Sequence, residues 1–526
     1  IIKTGQEKDG YLTTWRTIDP AKPPADWVKV IEGKRWESLE MSHELYNAGH
    51  LYEAAAVHYR ATGKNNFLNI ALANADLMVE TFGPGKIETV PGHQIIETGL
   101  IQLYRITGKE NYLKLAKYFL DGRGNHSSGR SSFGPYAQDH LPVTEQDEVV
   151  GHAVRAMYMY AGMTDIATIY QDQAYRSAVD ALWQNMVNKK IYVTGGIGAL
   201  HRGESFGDNY ELPNLTAYNE TCASIGSVYW NHRLFRLTGE VKYYDVIERT
   251  LYNGLISGLS LDGEKFFYPN ALEADGKYTF NQGSCTRQSW FDCSCCPTNI
   301  IRFIPAVPGL IYSRQADTLY VNLYAGSQAT VDLNGKNLHI SQDTDYPWDG
   351  KINIRIETDK RERYTVKLRV PGWARDEVLP GKLYSFADQV KIKPALTING
   401  KPEKVTIRNG YIHLNREWEG AQQITLHFPM SVRKVRANDA VVDDRNKLSL
   451  ECGPLVYAIE EVDNQNFDAV SITGREKFTV KKQDNLLDGI NTIIGRNDRT
   501  DFTAIPYYAW SNRGIGKMRV WLPENL

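Results

Sequence analysis

The spacing of apolar residues divides the chain into a helical part and a strand-rich part. Up to about residue 310, apolar side chains recur at intervals of three and four, as on one face of an amphipathic helix. The segments EMSHELYNAGHLYEAAAVHYRATG, QIIETGLIQLYRITG and VVGHAVRAMYMYAG show this spacing. The pattern predicts mostly helices over this part of the chain.

The helical part also contains a repeat. RATGKNNFLNIALANADLM resembles RITGKENYLKLAKYFLDGR and RLTGEVKYYDVIERTLYNG, and residues 163–186 form a looser copy without Thr-Gly. In the three closer copies a helix is predicted to end at Thr-Gly, because glycine suits the left-handed conformation that ends many helices. Such helical hairpins bury their apolar faces by stacking. The repeat therefore predicts a helical-hairpin solenoid or a closed (α/α) toroid.

From about residue 318 the apolar period becomes two. TLYVNLYAGSQATVDL, KINIRIET, YTVKLRVPGW, KVTIRNGYIHL and QQITLHFPM alternate apolar and polar residues, with turn residues between them. This pattern predicts an antiparallel β-sandwich, and ECGPLVYAIE is typical of a further strand. The expected fold class is α+β multidomain, with a helical domain over residues 1–315, a sandwich over 316–480, and a segment 481–526 that packs on one of them.

Composition excludes several classes of partner. The 526 residues are 42% hydrophobic and 23% charged, with a net charge of −2, so we expect no nucleic-acid partner. No apolar run approaches the ~20 residues that span a bilayer, so we expect no membrane partner. The 31 tyrosines and 11 tryptophans are a weak indication of sugar binding, because aromatic rings cover the C–H faces of sugars. The oligomeric state stays open.

Cysteine placement indicates thiol or metal chemistry. Four of the six cysteines lie between residues 285 and 296, whereas a disulfide scaffold would spread them along the chain. Cys295 and Cys296 are adjacent, and adjacent cysteines rarely form a disulfide because its geometry is strained. A reducing cytoplasm would protect free thiols, and zinc ligation would protect them in a periplasm, so the compartment stays open.

A second thiol segment, YNETCASIG, could complete a metal site with the adjacent pair. Glu220 and Cys222 lie two residues apart just before an amphipathic run, and in extended chain such positions point the same way. A zinc shell of Glu220, Cys222, Cys295 and Cys296 is chemically reasonable. The alternatives are a structural zinc clip and buried thiols without metal, and a role for Cys293 stays open.

These motifs resemble a known family of enzymes. GESFGDNYELPNLTAYNETCAS, followed some 70 residues later by CCPTN, is similar to glycoside hydrolase family 127, the bacterial β-L-arabinofuranosidases, and its close relatives. The similarity runs from about residue 9 to 460 and includes HELYNAGHLYEAA, PGHQIIETGLIQLYRITG, PVTEQDEVVGHAVRAMYMYAGM and GPLVYAIE. Members usually have proline at the position of Thr298. They also have further helices before DGYLTTW, so we expect the first part of the toroid to be absent here.

The resemblance implies a fold and a set of site residues. The fold is an (α/α)6 toroid followed by antiparallel β-sandwich domains. A Zn²⁺ ion is implied on the same four ligands, with Cys295 as nucleophile and Glu204 as general acid/base. Implied substrate contacts come from His50, His93 and His152, which we expect on helices of the repeat, and from Tyr268.

The implied activity is retaining removal of terminal β-L-arabinofuranose from plant glycans. A retaining glycosidase needs a nucleophile on one face of the anomeric carbon and an acid/base on the other. Zinc ligation would supply the thiolate that a free thiol lacks at neutral pH.

Three alternatives stay open. The same mechanism could act on another pectic sugar such as aceric acid, which would require a cation for its carboxylate. A non-catalytic glycan-binding protein with structural zinc is another. The third is an inverting glycosidase that uses two carboxylates, for which Asp208 and Glu211 are candidates, although both are expected to bind loop backbone groups.

Overall fold

The computed structural model describes residues 1–23, 25–127, 129–496 and 501–525. The chain forms two compact units. Unit 1 comprises residues 1–186 and 202–206, and unit 2 comprises residues 187–201 and 207–526. In the described ranges, no helix has the length and apolar character needed to cross a bilayer.

Unit 1 consists mainly of helices that follow one another in pairs. In chain order they are α1 (Ile2–Gly5), α2 (Thr14–Ile18), α3 (Glu44–Thr62), α4 (Asn65–Thr81), α5 (Ile96–Thr107), α6 (Glu110–Gly122), α7 (Ala153–Tyr170) and α8 (Gln173–Lys189), whose last turn enters unit 2.

Short left-handed linkers separate the helices of each pair. Gly63, with φ 68°, ends α3, and Gly108, with φ 71°, ends α5. Each glycine N–H donates to the carbonyl four residues earlier, as in a left-handed C-cap. The looser copy uses Gln171, with φ 53°, between α7 and α8. The predicted helical hairpins are therefore confirmed at these positions.

Unit 2 contains further helices and the strands of the fold. The helices are α9 (Thr221–Thr238), α10 (Lys242–Arg249), α11 (Cys295–Phe303) and α12 (Pro308–Ile311). The strands are β1 (Glu273–Asp275), β2 (Tyr312–Gln315), β3 (Thr318–Val321), β4 (Ser327–Asp332), β5 (Asn337–Thr344), β6 (Lys351–Arg369), β7 (Tyr384–Phe386), β8 (Ala395–Ile398), β9 (Lys401–Pro402), β10 (Ile407–Arg408), β11 (Tyr411–His427), β12 (Val432–Ala437), β13 (Lys447–Cys452), β14 (Leu455–Glu460), β15 (Lys477–Gln483), β16 (Ile490–Arg496), β17 (Asp501–Pro506), β18 (Lys517–Arg519) and β19 (Leu522–Pro523).

The strands form two sheets. One sheet has the order β2-β3-β6-β11-β8-β9, with β10 on β11 and the β4-β5 hairpin on β6. The other has the order β15-β16-β17-β14-β13-β12-β7, with β18 on β14 and β19 on β13. Pairing is antiparallel except between β3 and β6, which run parallel. The predicted mixture of helices and largely antiparallel sheets is confirmed.

Two predicted strand boundaries are wrong. KINIRIET and the YTVKLR part of YTVKLRVPGW belong to the single long strand β6, and YIHL and the QQITLH part of QQITLHFPM belong to β11. The two strands pair along their lengths with a register shift between Trp418 and Gly420. The polar residues 359–363 of β6, between the predicted strands, are mostly exposed and lie at this register shift, whereas Trp418 on β11 is buried.

Burial on the first sheet follows the alternation in the sequence. Ile352, Ile354 and Ile356 of β6 are fully buried, while Lys351 before them and Arg355 between Ile354 and Ile356 are exposed. Side chains two residues apart share a face of a strand, which explains the pattern.

The C-terminal strands β16–β19 join the second sheet, and β18 also pairs with β1.

Candidate active site

Unit 2 brings the predicted metal ligands to the N-terminal ends of two helices. Glu220 is the N-cap of α9, with φ −61° and ψ 136°, and Cys222 lies in the first turn. Cys295 and Cys296 are the first two residues of α11. Glu220 is extended and leads into a helix, as expected, but the expectation of extended chain is wrong at Cys222, which is already helical. The positive ends of both helix dipoles favour anionic ligands here.

The four side chains form a compact donor set. One ligand atom from each of Glu220, Cys222, Cys295 and Cys296 lies within 4.8 Å of all the others. The sulfurs of Cys222 and Cys296 are 3.4 Å apart, and those of Cys295 and Cys296 are 4.0 Å apart. A disulfide requires ~2.05 Å, so these thiols are free.

The same distances suit a tetrahedral metal ion. Four zinc ligands with Zn–S bonds of ~2.3 Å would place their sulfurs roughly 3.8 Å apart. Oε1 of Glu220 lies 3.6 Å from the sulfur of Cys295 and 3.5 Å from that of Cys296. Among the described residues, this group does not include Cys293. The cluster can therefore hold a metal ion through three sulfurs and one carboxylate oxygen.

The two buried thiols of this cluster have pKa values that are shifted in opposite directions. Burial opposes charge on Cys222, but hydrogen bonds from Cys295 and Cys296 outweigh it and lower the pKa of Cys222 to about 7. Burial, followed by the interaction with Cys222, raises the pKa of Cys296 well above its usual value. A metal ion would replace these protons, because metal ligands must be deprotonated.

Cys295 is the accessible member of the cluster. It is partly exposed, whereas Glu220, Cys222 and Cys296 are buried. The hydroxyl of Tyr268 lies 2.8 Å from the sulfur of Cys295 and 3.9 Å from the sulfur of Cys293. The structure thus brings Tyr268 beside the proposed nucleophile.

Unit 1 brings together the three predicted histidines. His50 lies on α3, as expected. The expectation that His93 and His152 lie on helices is wrong, because His93 precedes α5 by three residues and His152 is the N-cap of α7. The ring centroids of His93 and His152 are 5.5 Å apart, and Tyr46 lies 4.4 Å from His50 and 4.2 Å from His93.

Sequence reasoning missed several members of this group. His43 lies 5.7 Å from His93, Tyr136 lies 5.6 Å from His152, and Tyr158 lies 6.0 Å from His50, between ring centroids. A signal for part of the group was present in HELYNAGH, where His43, Tyr46 and His50 are spaced three and four residues apart. Such spacing is typical of one helix face, and Tyr46 and His50 do lie on α3, while His43 is its N-cap.

The buried histidines are held neutral. Burial, followed by the charge of Arg155, lowers the pKa of His43 to about 4 and that of His93 well below its usual value. Burial also lowers the pKa of His152, against the opposing effect of Glu204. Neutral imidazoles can both donate and accept hydrogen bonds, as sugar hydroxyls require.

Glu204 lies in a turn of unit 1 beside His152. It ends the 3₁₀ turn Arg202–Glu204 and has a φ of 51°, which non-glycine residues rarely adopt. Its Oε2 is 2.8 Å from Nε2 of His152, and its side chain is 31% exposed. A strained, partly exposed carboxylate held by a buried histidine is a candidate proton-transfer group.

The carboxylates of the inverting alternative lie in unit 2. Oε2 of Glu211 accepts a hydrogen bond of 2.7 Å from the backbone N–H of Asp208. The expectation that Glu211 binds a loop backbone group is therefore confirmed.

Domain comparisons cover nearly the whole chain. Residues 1–309 match a domain described as beta-L-arabinofuranosidase, GH127 catalytic domain. Residues 318–430 match the GH127 middle domain, and residues 432–523 match the glycoside hydrolase family 127 C-terminal domain.

Individual relatives agree with these matches. The chain is 33% identical to a non-reducing end beta-L-arabinofuranosidase of Bifidobacterium longum subsp. longum, over 99% of this chain and 83% of the relative. A solved GH127 beta-arabinofuranosidase is 47% identical with a TM-score of 0.93, covering 100% of this chain and 83% of the other. A GH127 beta-L-arabinofuranosidase from Geobacillus stearothermophilus T6 is 39% identical with a TM-score of 0.90, covering 100% and 85%.

Proposed function

Since this chain belongs to glycoside hydrolase family 127, we propose that it is a retaining exo-glycosidase that removes terminal β-L-arabinofuranose from plant glycans. The observation that carries the proposal is the donor set of Glu220, Cys222, Cys295 and Cys296, whose ligand atoms all lie within 4.8 Å of one another. Relatives described as beta-L-arabinofuranosidases support the sugar.

Zinc is the ion that this donor set suits best. Three thiolates and one carboxylate form a soft, four-coordinate environment, which favours Zn²⁺ over Mg²⁺ or Ca²⁺. Bound zinc would supply deprotonated thiols at neutral pH. Glu220, Cys222 and Cys296 are buried and would hold the ion, while Cys295 is the ligand that substrate could reach.

Cys295 acts as the nucleophile. Its position at the start of α11 stabilises negative charge on sulfur, because unpaired backbone N–H groups point outward from a helix N-terminus. The Tyr268 hydroxyl, 2.8 Å away, orients that sulfur by hydrogen bonding.

The reaction has two balanced steps. In the first, the Cys295 sulfur bonds to the anomeric carbon while the bond to the leaving oxygen breaks, and the Glu204 carboxyl gives its proton to that oxygen. In the second, the Glu204 carboxylate takes a proton from water, the water oxygen bonds to the anomeric carbon, and the carbon–sulfur bond breaks. Two displacements on opposite faces retain the configuration.

His50, His93 and His152 contact the sugar, and His50 and His93 hydrogen-bond its hydroxyls. Burial lowers the pKa of His93 and keeps its ring neutral, so His93 can hydrogen-bond an uncharged sugar. Burial also lowers the pKa of His152, whose ring nitrogens contact α7 and Glu204. Arg155 lies near this group, but its guanidinium donates to the Gly92 carbonyl and covers the Tyr136 ring at 4.6 Å. This arrangement favours a neutral sugar over an acidic one such as aceric acid.

We also propose that the helical part is the catalytic (α/α)6 toroid predicted for residues 1–315. The successive hairpins α3–α4, α5–α6, α7–α8 and α9–α10 support this fold. The sandwich boundaries at residues 316–480 and the packing of segment 481–526 stay predictions.

The test is release of sugar from an aryl β-L-arabinofuranoside by zinc-loaded protein. We expect turnover by the wild type and a loss of at least 10³-fold in Cys295→Ala, because no other group replaces the nucleophile. Cys285→Ala, which removes a thiol outside the cluster, is the matched control and should retain activity.

Two results would contradict the proposal. Full activity of Cys295→Ala, or activity that survives complete zinc removal, would favour the inverting mechanism with two carboxylates. Sugar binding without turnover by the wild type would indicate a glycan-binding protein with structural zinc.

A further inference from the structure

We propose that His152 is a positioning residue for Glu204: the N-terminus of α7 locks its imidazole as the tautomer protonated at Nε2, and this N–H directs the acid proton of Glu204 to Oε1. The inference rests on the proposed function, because it assumes that Glu204 transfers protons. It assigns His152 a role beyond any contact with the sugar.

The first observation is the use of a histidine as a helix N-cap. Ser, Thr, Asp and Asn usually fill this position because their oxygens accept backbone hydrogen bonds. Here Nδ1 of His152 accepts from the backbone N–H groups of Val154, at 3.2 Å, and Arg155, at 3.5 Å. A ring nitrogen that accepts these bonds carries no proton.

The second observation concerns the other ring nitrogen. A neutral imidazole with a bare Nδ1 must carry its proton on Nε2. That Nε2 lies 2.8 Å from Oε2 of Glu204, so it donates to this oxygen. Backbone contacts hold His152 and Glu204 in place. His152 and Ser205 form an isolated antiparallel β-bridge, and the N–H of Phe206 donates to the Gly151 carbonyl.

The consequence is that the two oxygens of Glu204 are not equivalent. Oε2 accepts from His152 in both protonation states of the carboxyl group. The acid proton therefore resides on Oε1, which gives it to the leaving oxygen and later accepts the proton of water. In a freely rotating carboxyl group, the proton could lie on either oxygen and would not always face the leaving oxygen.

The environment also prevents His152 from taking the proton itself. Protonation of Nδ1 would break both cap bonds and place a cation at the positive end of the α7 dipole. The charged or titratable groups of unit 1 around the ring are Glu204, Arg155, His93, Tyr136 and His43. Arg155 adds a positive charge, and burial disfavours the imidazolium further. Glu204 thus keeps its proton for the substrate.

Two substitutions distinguish the roles of the two ring nitrogens of His152. In His152→Asn, Oδ1 can still cap α7, but the side chain is too short to reach Glu204. In His152→Gln, Nε2–H can reach Glu204, but glutamine is a poor cap. We expect the basic limb of the kcat/KM pH profile to move up by about one unit in His152→Asn, because the carboxylate loses a donor. In His152→Gln it should stay near that of the wild type.

The pH profile distinguishes positioning from simple sugar binding. A change in KM alone, with the same basic limb in His152→Asn and the wild type, would overturn the inference. So would a basic limb that shifts equally in both variants, because loss of the cap rather than of the donor would then be the cause.

A second measurement does not require turnover. Histidine labelled with ¹⁵N reports which ring nitrogen carries a proton, and His152→Asn identifies the signal of His152 among the 12 histidines. We expect a neutral ring protonated at Nε2 throughout pH 6 to 8. An Nδ1-protonated ring, or an imidazolium in this range, would overturn the inference. If no sugar is released by any variant but the Nε2 tautomer is observed, the proposed function fails while the tautomer assignment holds.

Discussion

At the scale of single residues, the thiols of the metal cluster differ in accessibility rather than in type. Cys222 and Cys296 are both buried, while Cys295 is partly exposed and contacts the Tyr268 hydroxyl. A buried thiol can hold a metal ion but cannot reach a sugar. Burial therefore supports the proposed roles, in which Cys222 and Cys296 hold the metal ion and Cys295 reacts with the sugar.

Glu204→Gln should slow the enzyme in a way that depends on the leaving group. An amide cannot give or take a proton, so turnover of an unactivated disaccharide should fall by about 10²–10⁴-fold. An aryl group that leaves without protonation should lose less in the first step. Steady-state kinetics on both substrates measures the difference.

Glu211→Gln is the matched control for this prediction, because the Glu211 carboxylate accepts a hydrogen bond from the backbone N–H of Asp208 in the same loop. It should remain within a few-fold of the wild type on both substrates. An equal loss of kcat/KM, which reports the first step, on both substrates in Glu204→Gln would contradict the role of Glu204 as a proton donor.

At the scale of elements, the cluster joins the starts of α9 and α11. Glu220 and Cys222 come from the first helix, and Cys295 and Cys296 come from the second, 74 residues away between Cys222 and Cys296. Neither helix carries enough ligands by itself. A bound metal ion would therefore stabilise the packing of two elements as well as supply a reactive thiol.

Removal of metal should lower the melting temperature. A ligand that binds only the folded state stabilises it by mass action, by about 4 kcal/mol at a free concentration 1,000 times the Kd. Differential scanning calorimetry of zinc-loaded protein before and after chelation tests this. Cys222→Ala should show a low melting temperature that chelation no longer changes, and an unchanged melting temperature of the wild type would contradict a metal bound here.

The hairpin linkers should depend on glycine. Gly108→Ala places a Cβ on a residue with φ 71°, where nothing else obstructs it, so backbone strain is the main cost. We expect unfolding free energy to fall by about 1 kcal/mol. Gly309→Ala, in α12 with open space around it, is the control and should be neutral or slightly stabilising. Equal effects in chemical denaturation would contradict the left-handed cap as the cause.

At the scale of the whole molecule, polar contacts between distant parts of the sequence tie unit 2 together. Nδ2 of Asn214 donates to Oδ1 of Asp444 at 2.7 Å, across 230 residues. Arg369 of β6 pairs with Asp245 and Glu248 of α10, and all three side chains are buried. The Arg369 contacts join α10 to β6. Because the acidic residues of both sets are buried, their ionisation affects the stability of unit 2.

Asp444 should make stability depend on pH. Burial raises its pKa to about 7, against the opposing effect of the Asn214 hydrogen bond. A raised pKa means that the folded state binds the proton more tightly than the unfolded state. The contribution is present below the unfolded pKa of about 4 and is lost as pH rises towards 7.

Asp444→Asn removes this titration. Between pH 5 and 7, the wild type should lose about 2 kcal/mol of unfolding free energy relative to the variant. Chemical denaturation at both pH values measures the difference. Parallel pH dependence of the two proteins would contradict a raised pKa at Asp444.

The sequence by itself determined what depends on neighbours along the chain. The three-and-four spacing of apolar residues predicts α3 to α10, because a helix repeats every 3.6 residues, and Thr-Gly marks helix ends through the backbone freedom of glycine. The order of residues along the chain also predicts that Glu220 leads into a helix and that the adjacent Cys295 and Cys296 take part in thiol or metal chemistry. Resemblance to a family added roles for Glu204 and the histidines that spacing alone did not contain.

Only the tertiary structure decided which distant side chains meet and in what state. It joined Cys222 to Cys296, placed Tyr268 beside Cys295, added His43 and Tyr136 to the histidine group, and merged predicted strands into β6 and β11. It also turned His152 into a helix cap with a bare Nδ1. Such features depend on packing between parts of the chain that are far apart in sequence. Burial and hydrogen-bond partners arise only from that packing. They determine which site side chains are protonated and which are accessible to a substrate.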